Sequence, residues 1–387
     1  MFQPTQAPYI RPGVVIHEAA SPVGALLAQF ADALRQRGFA VAGCVRSEGG
    51  VLDLASGKMV DTDCAVLAAK SFRAAMRDDA DLVVIDDFPA VTTSARKLLA
   101  SIDGAQPFAL PVLSAIPSDR VQHWLDFAGQ GGAMVAPNVK ALWQWWGPER
   151  LYRDLTLGVT HDQVRQLVCG PRWLMIEGPA GIGLAYLPRS GKDLLTRLPA
   201  LRKQSLRQLA ELSASWDPLE MAIGIAAINA HYNRFDLAAD IGNGTDCFSD
   251  ESGRVVVVGA FPGLSEVLKT PQVIETDPRP GEYPIVAMDT LLPGCAAAVI
   301  ASSAIVNRTL PRILRLAQGS RLALIGPATP LSARLHAYGI EVLGGLLIRD
   351  AKGLAEAIRA GAMPREFTRF GSYVHIRPNA QSLQRSA

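Results

Sequence analysis

The stretch Arg254 to Leu264, RVVVVGAFPGL, constrains the fold more than any other part of the chain. Four consecutive valines leave no polar face. The strand they form must be buried on both sides, as in a parallel sheet covered by helices. Gly259 closes the run, where such a strand turns and where a backbone without Cβ lets a ligand approach. The same unit recurs downstream as VIETDP from Val273, AAVIASSAIVN from Ala296, RLALIGPATPL from Arg321 and IEVLGGLLI from Ile340. Strands alternating with helical segments such as LSEVLKT predict a doubly wound parallel sheet with right-handed crossovers over residues 251–387.

A chain of 387 residues is too long for one ordinary core, and the pattern upstream supplies two further domains, 1–145 and 146–250. The first opens as βαβ: a short strand at Val14 to Ile16, a loop HEAASPVGA, a helix from Pro22 to Arg37 stopped by Gly38, and a strand FAVAGCV. That loop stands where a phosphate-binding loop stands, yet no G-x-x-x-x-G-K-[ST] is present, so a nucleotide with magnesium would be held poorly. The strand DLVVIDDF ends in Asp86 and Asp87, placed either to hold magnesium or simply to start a solvated loop. FALPVLSAIP from Phe108 is a further strand. Trp143, Trp145 and Trp146 mark the boundary and are expected to pack one domain on another, since a base-stacking platform would need basic neighbours that the segment lacks.

The middle domain reads as α+β, with WLMIEG and GIGLAYLP as two strands of a hairpin. GPAGIGLAY is not a dinucleotide loop, because Tyr186 replaces the third glycine and no long helix opens there, and Ser190-Gly191-Lys192 is not a phosphate loop, because Tyr186 occupies its first-glycine position. Asp217, Pro218 and Glu220 predict a capped helix start with a capping box, followed by MAIGIAAINAHYN. Asn229 within this apolar helix must find partners: it either bonds a nearby loop or points into a cleft. His231, near the helix end, is a C-terminal dipole partner.

With 49% apolar and 19% charged residues the chain is globular and core-rich, and a net charge of +2 gives no broad attraction to nucleic acid or to a membrane surface. Five widely spaced cysteines without a C-x-x-C argue against a disulfide framework and a structural zinc site and fit a reducing cytoplasm. No signal peptide is read at the N-terminus, and the longest apolar stretch, from Leu291, is too short to span a bilayer. Alanine- and glycine-rich helices could support a homodimer.

Ligands of doubly wound sheets bind at the carboxyl ends of strands. Those ends carry Gly259, Phe261 and Pro262; Glu275; Ser302, Ser303 and Asn307; and Gly326, Pro327 and Thr329. Glu275 is placed like a ribose-binding acid, which makes NAD or S-adenosylmethionine conceivable, but GAFPG replaces G-x-G-x-x-G and Phe261 reads as a flat apolar wall. Asn307 and Thr309 either cap the next helix or meet a ligand. N–H groups beyond Gly326-Pro327 could meet an anion.

Two resemblances follow from these motifs. The helix LLAQFADALRQRGFAVAG with DLVVIDDF and ALPVLSAIP, over about residues 10–140, resembles a nucleoside-triphosphatase-like family of unknown function found beside molybdenum-handling genes. This implies a P-loop-like α/β domain with a degenerate nucleotide site at Asp86 and Asp87. The order GIAAINA, VVVVGAFPG, VIETDPRPGEYP, IASSAIVNRTL and GPATPLSARLHAYGIEVLGG, over about residues 150–380, resembles the heavy-metal chelation family. That resemblance implies an enolase-N-terminal-like domain joined to a Rossmann-like domain, with a cleft lined by Asn229, Gly259, Phe261, Glu275, Asn307, Thr309, Gly326 and Pro327. The chain departs from the family's glycine- and threonine-rich third loop at Ser302 and Arg308. Arg308 would offer a bidentate cation to an oxyanion or carboxylate at the cleft rim, or point to solvent.

The expected function is metal homeostasis, with a small-molecule or metal-chelate ligand, or an oxyanion such as molybdate or tungstate, in the cleft. The alternatives are an enzyme using a nucleotide-type cofactor on a chelator, or a non-catalytic sensor or chaperone. Scattered histidines and the lack of an acid cluster argue that any metal arrives already held by a small molecule. No nucleophile–base pair is readable.

Overall fold

The computed structural model describes residues 12–18, 22–36, 39–47, 49–76, 80–99, 112–128, 132–147, 150–188 and 192–378. They fall into two compact units, one within Pro8–Arg150 and the other Leu151–Pro378. Both are α/β.

The N-terminal unit is built on a seven-stranded sheet of β1 (Gly13–His17), β2 (Val41–Ser47), β3 (Gly50–Asp53), β4 (Lys58–Val60), β5 (Leu82–Ile85), β6 (Val112–Pro117) and β7 (Ala133–Val135), in the order β4-β3-β2-β5-β6-β1-β7. β2, β5, β6, β1 and β7 run parallel, and β3 and β4 extend one edge as an antiparallel hairpin. The first helix is Val23–Arg35, and its expected stop, Gly38, lies outside the described residues. The boundary tryptophans pack inside this unit: Trp143 lies edge-on to Phe30 at 4.9 Å, and Trp146 edge-on to Phe39 at 5.1 Å with 1% exposure. These partners belong to the N-terminal unit itself: Phe30 to the first helix and Phe39 to the approach to β2.

Cys44 and Cys64 form a disulfide, with Cα atoms 6.2 Å apart. The wide spacing in sequence had argued against any such bond. The intervening residues fold back as the β3–β4 hairpin, with Cys44 opposite Asp53 across the β2–β3 ladder, and bring the start of helix Cys64–Met76 beside β2.

The second unit holds two sheets. A three-stranded antiparallel sheet has the order β10-β9-β8, from β8 (Gln166–Cys169), β9 (Trp173–Glu177) and β10 (Ile182–Tyr186). The larger one contains β11 (Asp240–Ile241), β12 (Val255–Val258), β13 (Gln272–Glu275), β14 (Tyr283–Pro284), β15 (Ala297–Ala301), β16 (Arg321–Ile325), β17 (Ile340–Ile348) and β18 (Gly371–Ile376). Its order is β11-β18-β17-β16-β15-β12-β13-β14. β14 through β17 in this row are all parallel, and β18 and β11 close the far edge antiparallel. β12 has β13 on one side and β15 on the other, so the chain reverses its direction of travel across the sheet between β12 and β15. That is the switch point at which doubly wound sheets open a crevice. The valines of β12 are 0–5% exposed, as the uninterrupted apolar run requires.

The helix Pro218–Tyr232 joins the two sheets. Leu219 and every residue from Met221 to Ala230 are buried, so it has no solvent face. Gly183 of β10 lies so close that a Cβ there would strike the Ala226 carbonyl. Asp217 caps the helix as expected, its Oδ1 accepting from the N–H groups of Leu219 (2.9 Å) and Glu220 (3.1 Å). Glu220 does not complete a capping box: its carboxylate accepts from Arg197 Nη2 at 2.8 Å. On the other face of the small sheet, Trp173, Met175 and Leu184 pack with Leu346, Ile348, Leu354 and Phe367.

Thiol counting tests the disulfide. Denatured without reductant, the protein should show three reactive thiols, Cys169, Cys247 and Cys295, and two more after reduction. Reduction should lower the stability of the N-terminal unit by about 3 kcal/mol, the loop-closure value for a loop of this size. Five reactive thiols before reduction would refute the pairing.

Candidate functional site

At the switch point, Gly259 leaves β12 with φ +89°, and a Cβ there would sit 2.6 Å from Ala301 Cβ and 3.9 Å from Ser303 Oγ. A side chain is therefore excluded twice, by backbone conformation and by space. Glu275 ends β13; its Oε1 accepts the Ala260 N–H at 2.5 Å and its Oε2 the Thr276 N–H at 3.0 Å, so it fastens the GAFPG loop. Phe261 is half-buried against the sheet's core cluster, and Pro262 is exposed.

Beyond β16, Gly326 adopts φ +142°, and a Cβ would overlap Ser302 Oγ. Ser302 is buried; its N–H donates to Ile325 O (2.8 Å) and its Oγ accepts from the Ala328 N–H (3.3 Å). The N–H groups following Gly326-Pro327, which the sequence offered to an anion, are thus engaged: Ala328 by Ser302, Thr329 by Gly326 O at 3.1 Å, and Leu331 by Asn233 Oδ1 at 2.8 Å. Pro327 is half-buried.

Asn229 is wholly buried and works as a tie. Its Nδ2 donates to Leu184 O (2.8 Å) and to Ala328 O (2.9 Å), linking β10 to the loop after β16. Asn233, one turn on, donates to Thr329 O at 3.0 Å. Sequence reading missed Asn233, although its i,i+4 spacing from Asn229 placed both amides on one helix face. Asn229 Oδ1 and Thr329 Oγ1 are buried and have no hydrogen-bond partner among the described residues.

The corner after β15 is also self-braced. Asn307 Oδ1 accepts from Thr309 N–H (3.1 Å) and Oγ1 (2.6 Å), so these two residues cap one another. Arg308 has φ +60°, unusual for a non-glycine residue. Its Nε donates to Ser215 O (3.2 Å) and its Nη2 to Ser213 O (2.5 Å) and Ser215 O (2.8 Å). Burial pushes the Arg308 pKa down. Tyr152, whose hydroxyl donates to Ile305 O at 2.8 Å, has its phenol pKa pushed up by burial. Arg308 is neither free in solvent nor a free fork. What remains open at the carboxyl edge is Gly259, Phe261, Pro262, Glu275, Ser303, Asn307 and Thr309, with Asn229 and Ser302 buried beneath.

In the N-terminal unit, Asp86 Oδ2 accepts the Arg46 N–H at 2.6 Å, and Arg46 Nη2 pairs with Asp87 at 2.7 Å. Burial, the largest influence, raises the Asp86 pKa despite Arg46. Part of the preceding loop, residues 19–21, lies outside the described residues, as do Ser190 and Gly191. Among the described residues, no group of three or more His, Cys, Asp and Glu side chains is placed to hold a metal ion, and no helix is long and apolar enough to cross a membrane.

This arrangement is that of an α/β protein whose larger sheet is mostly parallel, with a topological switch point between β12 and β15. A family described as "Putative heavy-metal chelation" (DUF364) matches residues 245–377, and a second with the same description (DUF4213) matches residues 152–232. A family described only as of unknown function (DUF2478) matches residues 52–145. The crystal structure of a DUF364-family protein of unknown function from Desulfitobacterium hafniense aligns with a TM-score of 0.54 and 31% identity, over 59% of this chain and 97% of that one. The chain belongs to the DUF364 family. A family structure from Pyrococcus horikoshii aligns with a TM-score of 0.49 and 19% identity, over 59% of this chain and 98% of that one. Molybdenum import ATP-binding protein ModC 2 of Bradyrhizobium diazoefficiens is 26% identical over 161 residues, 35% of this chain. The chain spans 18% of that relative's length.

Two substitutions test these roles. Asn229→Ala leaves two buried carbonyls without donors and should destabilise the second unit by about 2–4 kcal/mol, read by denaturant unfolding; unchanged stability would remove its role as a tie. For Asp86, the folded state holds its proton to higher pH than the unfolded chain, so stability falls as pH rises above about 4 through the raised folded value. Asp86→Asn should therefore raise the melting temperature at pH 7 and change it little below pH about 4. A lower melting temperature at pH 7 would show that Arg46 outweighs burial.

Proposed function

We propose that the chain serves metal homeostasis by binding a metal chelate, or a metal oxyanion such as molybdate, at the carboxyl edge of the parallel sheet. The observation that carries this reading is the switch point itself, where Gly259 at the end of β12 stands beside Ala301 and Ser303 at the end of β15 with no room for a side chain of its own. Around it stand hydroxyls, an amide and backbone rather than a thiolate or imidazole set. Such neutral donors suit a ligand whose metal is already coordinated, through hydrogen bonds to its outer oxygens. The chelation families that match residues 152–232 and 245–377 support a metal-related role, and the short likeness to ModC 2 supports molybdate as one ligand to try. Glu275 sits where a dinucleotide site keeps its ribose acid, but both its oxygens hold loop N–H groups, which favours the chelate reading over the nucleotide one.

The test is a thermal-shift panel of molybdate, tungstate, divalent metals with and without citrate, ATP, NAD and S-adenosylmethionine, with elemental analysis of protein from its native host. A ligand of this site should stabilise by more than about 2 kcal/mol at a hundredfold excess over its dissociation constant. Stabilisation by NAD or S-adenosylmethionine alone, with no metal found, would overturn the proposal.

A further inference from the structure

Trp216 is 74% exposed, immediately before the N-cap of the buried helix. An indole that large usually turns inward. It is held outward by Arg308, whose guanidinium carbon lies 4.7 Å from the Trp216 ring centre and 4.9 Å from that of Tyr152. The guanidinium is itself clamped by the carbonyls of Ser213 and Ser215, on the segment that leads into Trp216. One side chain thus fixes both the loop and the ring. Arg308 does so from a left-handed backbone conformation, the kind of strained position that clusters at ligand sites.

The charge is also unbalanced. Arg308 is half-buried, and all its hydrogen bonds among the described residues go to neutral carbonyls. Among the described residues no carboxylate forms an ion pair with Arg308, and Tyr152 is the one titratable group that acts on its charge. Nη1 takes no protein partner among the described residues. A preoriented aromatic face beside a cation lacking a counter-ion calls for a ligand that is flat, conjugated and negatively charged.

We propose that Trp216 and Arg308 form a stacking platform at the rim of the carboxyl-edge site, and that the ligand class is a planar aromatic carboxylate, the kind of small molecule that chelates metals. This rests on the binding reading above and adds the ligand's shape and charge. Trp216 supplies a sequence-tolerant π-face, and Arg308 Nη1 receives the carboxylate at the ring's edge.

Dipicolinate is the planar probe and tricarballylate the flexible, non-aromatic one; binding is followed by calorimetry and tryptophan fluorescence in wild type, Trp216→Leu and Trp216→Phe. Dipicolinate should bind wild type with saturable quenching. Its affinity should fall about tenfold or more in Trp216→Leu and stay within about threefold in Trp216→Phe. Tricarballylate should bind weakly and alike in all three. Because the ring is exposed, Trp216→Leu should melt with wild type, so lost binding is not lost folding. Equal dipicolinate affinity in wild type and Trp216→Leu overturns the platform. So does a dimer that Trp216→Leu dissociates without changing dipicolinate affinity. If dipicolinate fails to bind while molybdate or a citrate chelate stabilises wild type, the platform falls and the site reading stands. If none of them acts, both fall.

Discussion

Burial of β12 on both faces is the constraint from which the second unit follows. Four valines at 0–5% exposure need apolar neighbours above, below and on either side. β13 and β15 supply the flanks, with Val257 level with Val273 and Val299. The chain extends from β12 through β13 to β14 on one side and then returns to lay β15 against the other, which produces the order β14-β13-β12-β15-β16-β17 and places the reversal between β12 and β15. The switch point is thus a consequence of how the most apolar segment is covered. Gly259 stands at its mouth because only a residue without Cβ fits beside Ala301.

The helix Pro218–Tyr232 then decides how much of the carboxyl edge stays open. It is apolar all round and so must be enclosed, by β9 and β10 on one side and by short helices on the others, which brings Asn229 and Asn233 onto the loop after β16. Amide-to-carbonyl bonds of this kind contribute modestly each but leave a costly vacancy when lost, so they specify register more than they add stability. They close the β16 side of the edge and leave the β12–β13 side free. Arg308 makes a similar tie at the β15 corner, where a cation replaces the amide and carbonyls of Ser213 and Ser215 replace those of the loop.

The parallel sheet, the hairpin β9–β10 and the Asp217 cap were all legible, because each rests on local pattern: an apolar run, an alternation, a capping residue. β14 and β11 were not, since two-residue strands carry no period. The Cys44–Cys64 bond was hidden for another reason: the hairpin that closes it is a tertiary event, invisible to spacing. The positions of Gly259, Glu275 and Gly326 at strand ends were legible from the apolar runs before them. Their individual duties were not. Glu275, Asn229, Asn307 and Arg308 all find partners in backbone N–H or carbonyl groups, and a sequence displays side chains, never the backbone atoms that will stand opposite them.

This distinction separates the polar residues that hold the site from those that face it. Polar groups tied to backbone make a rigid frame, because each bond fixes a loop relative to a strand. Ser303 stands beside Gly259 at the switch point, and Trp216 stands exposed beside the frame's own cation. A frame built from neutral amides, hydroxyls and one arginine has little affinity for a bare metal ion, which needs deprotonated ligands to displace its water. It is suited to an anion that carries its own charge and shape. Selectivity would then come from fit against Gly259, Phe261 and the indole rather than from coordination chemistry.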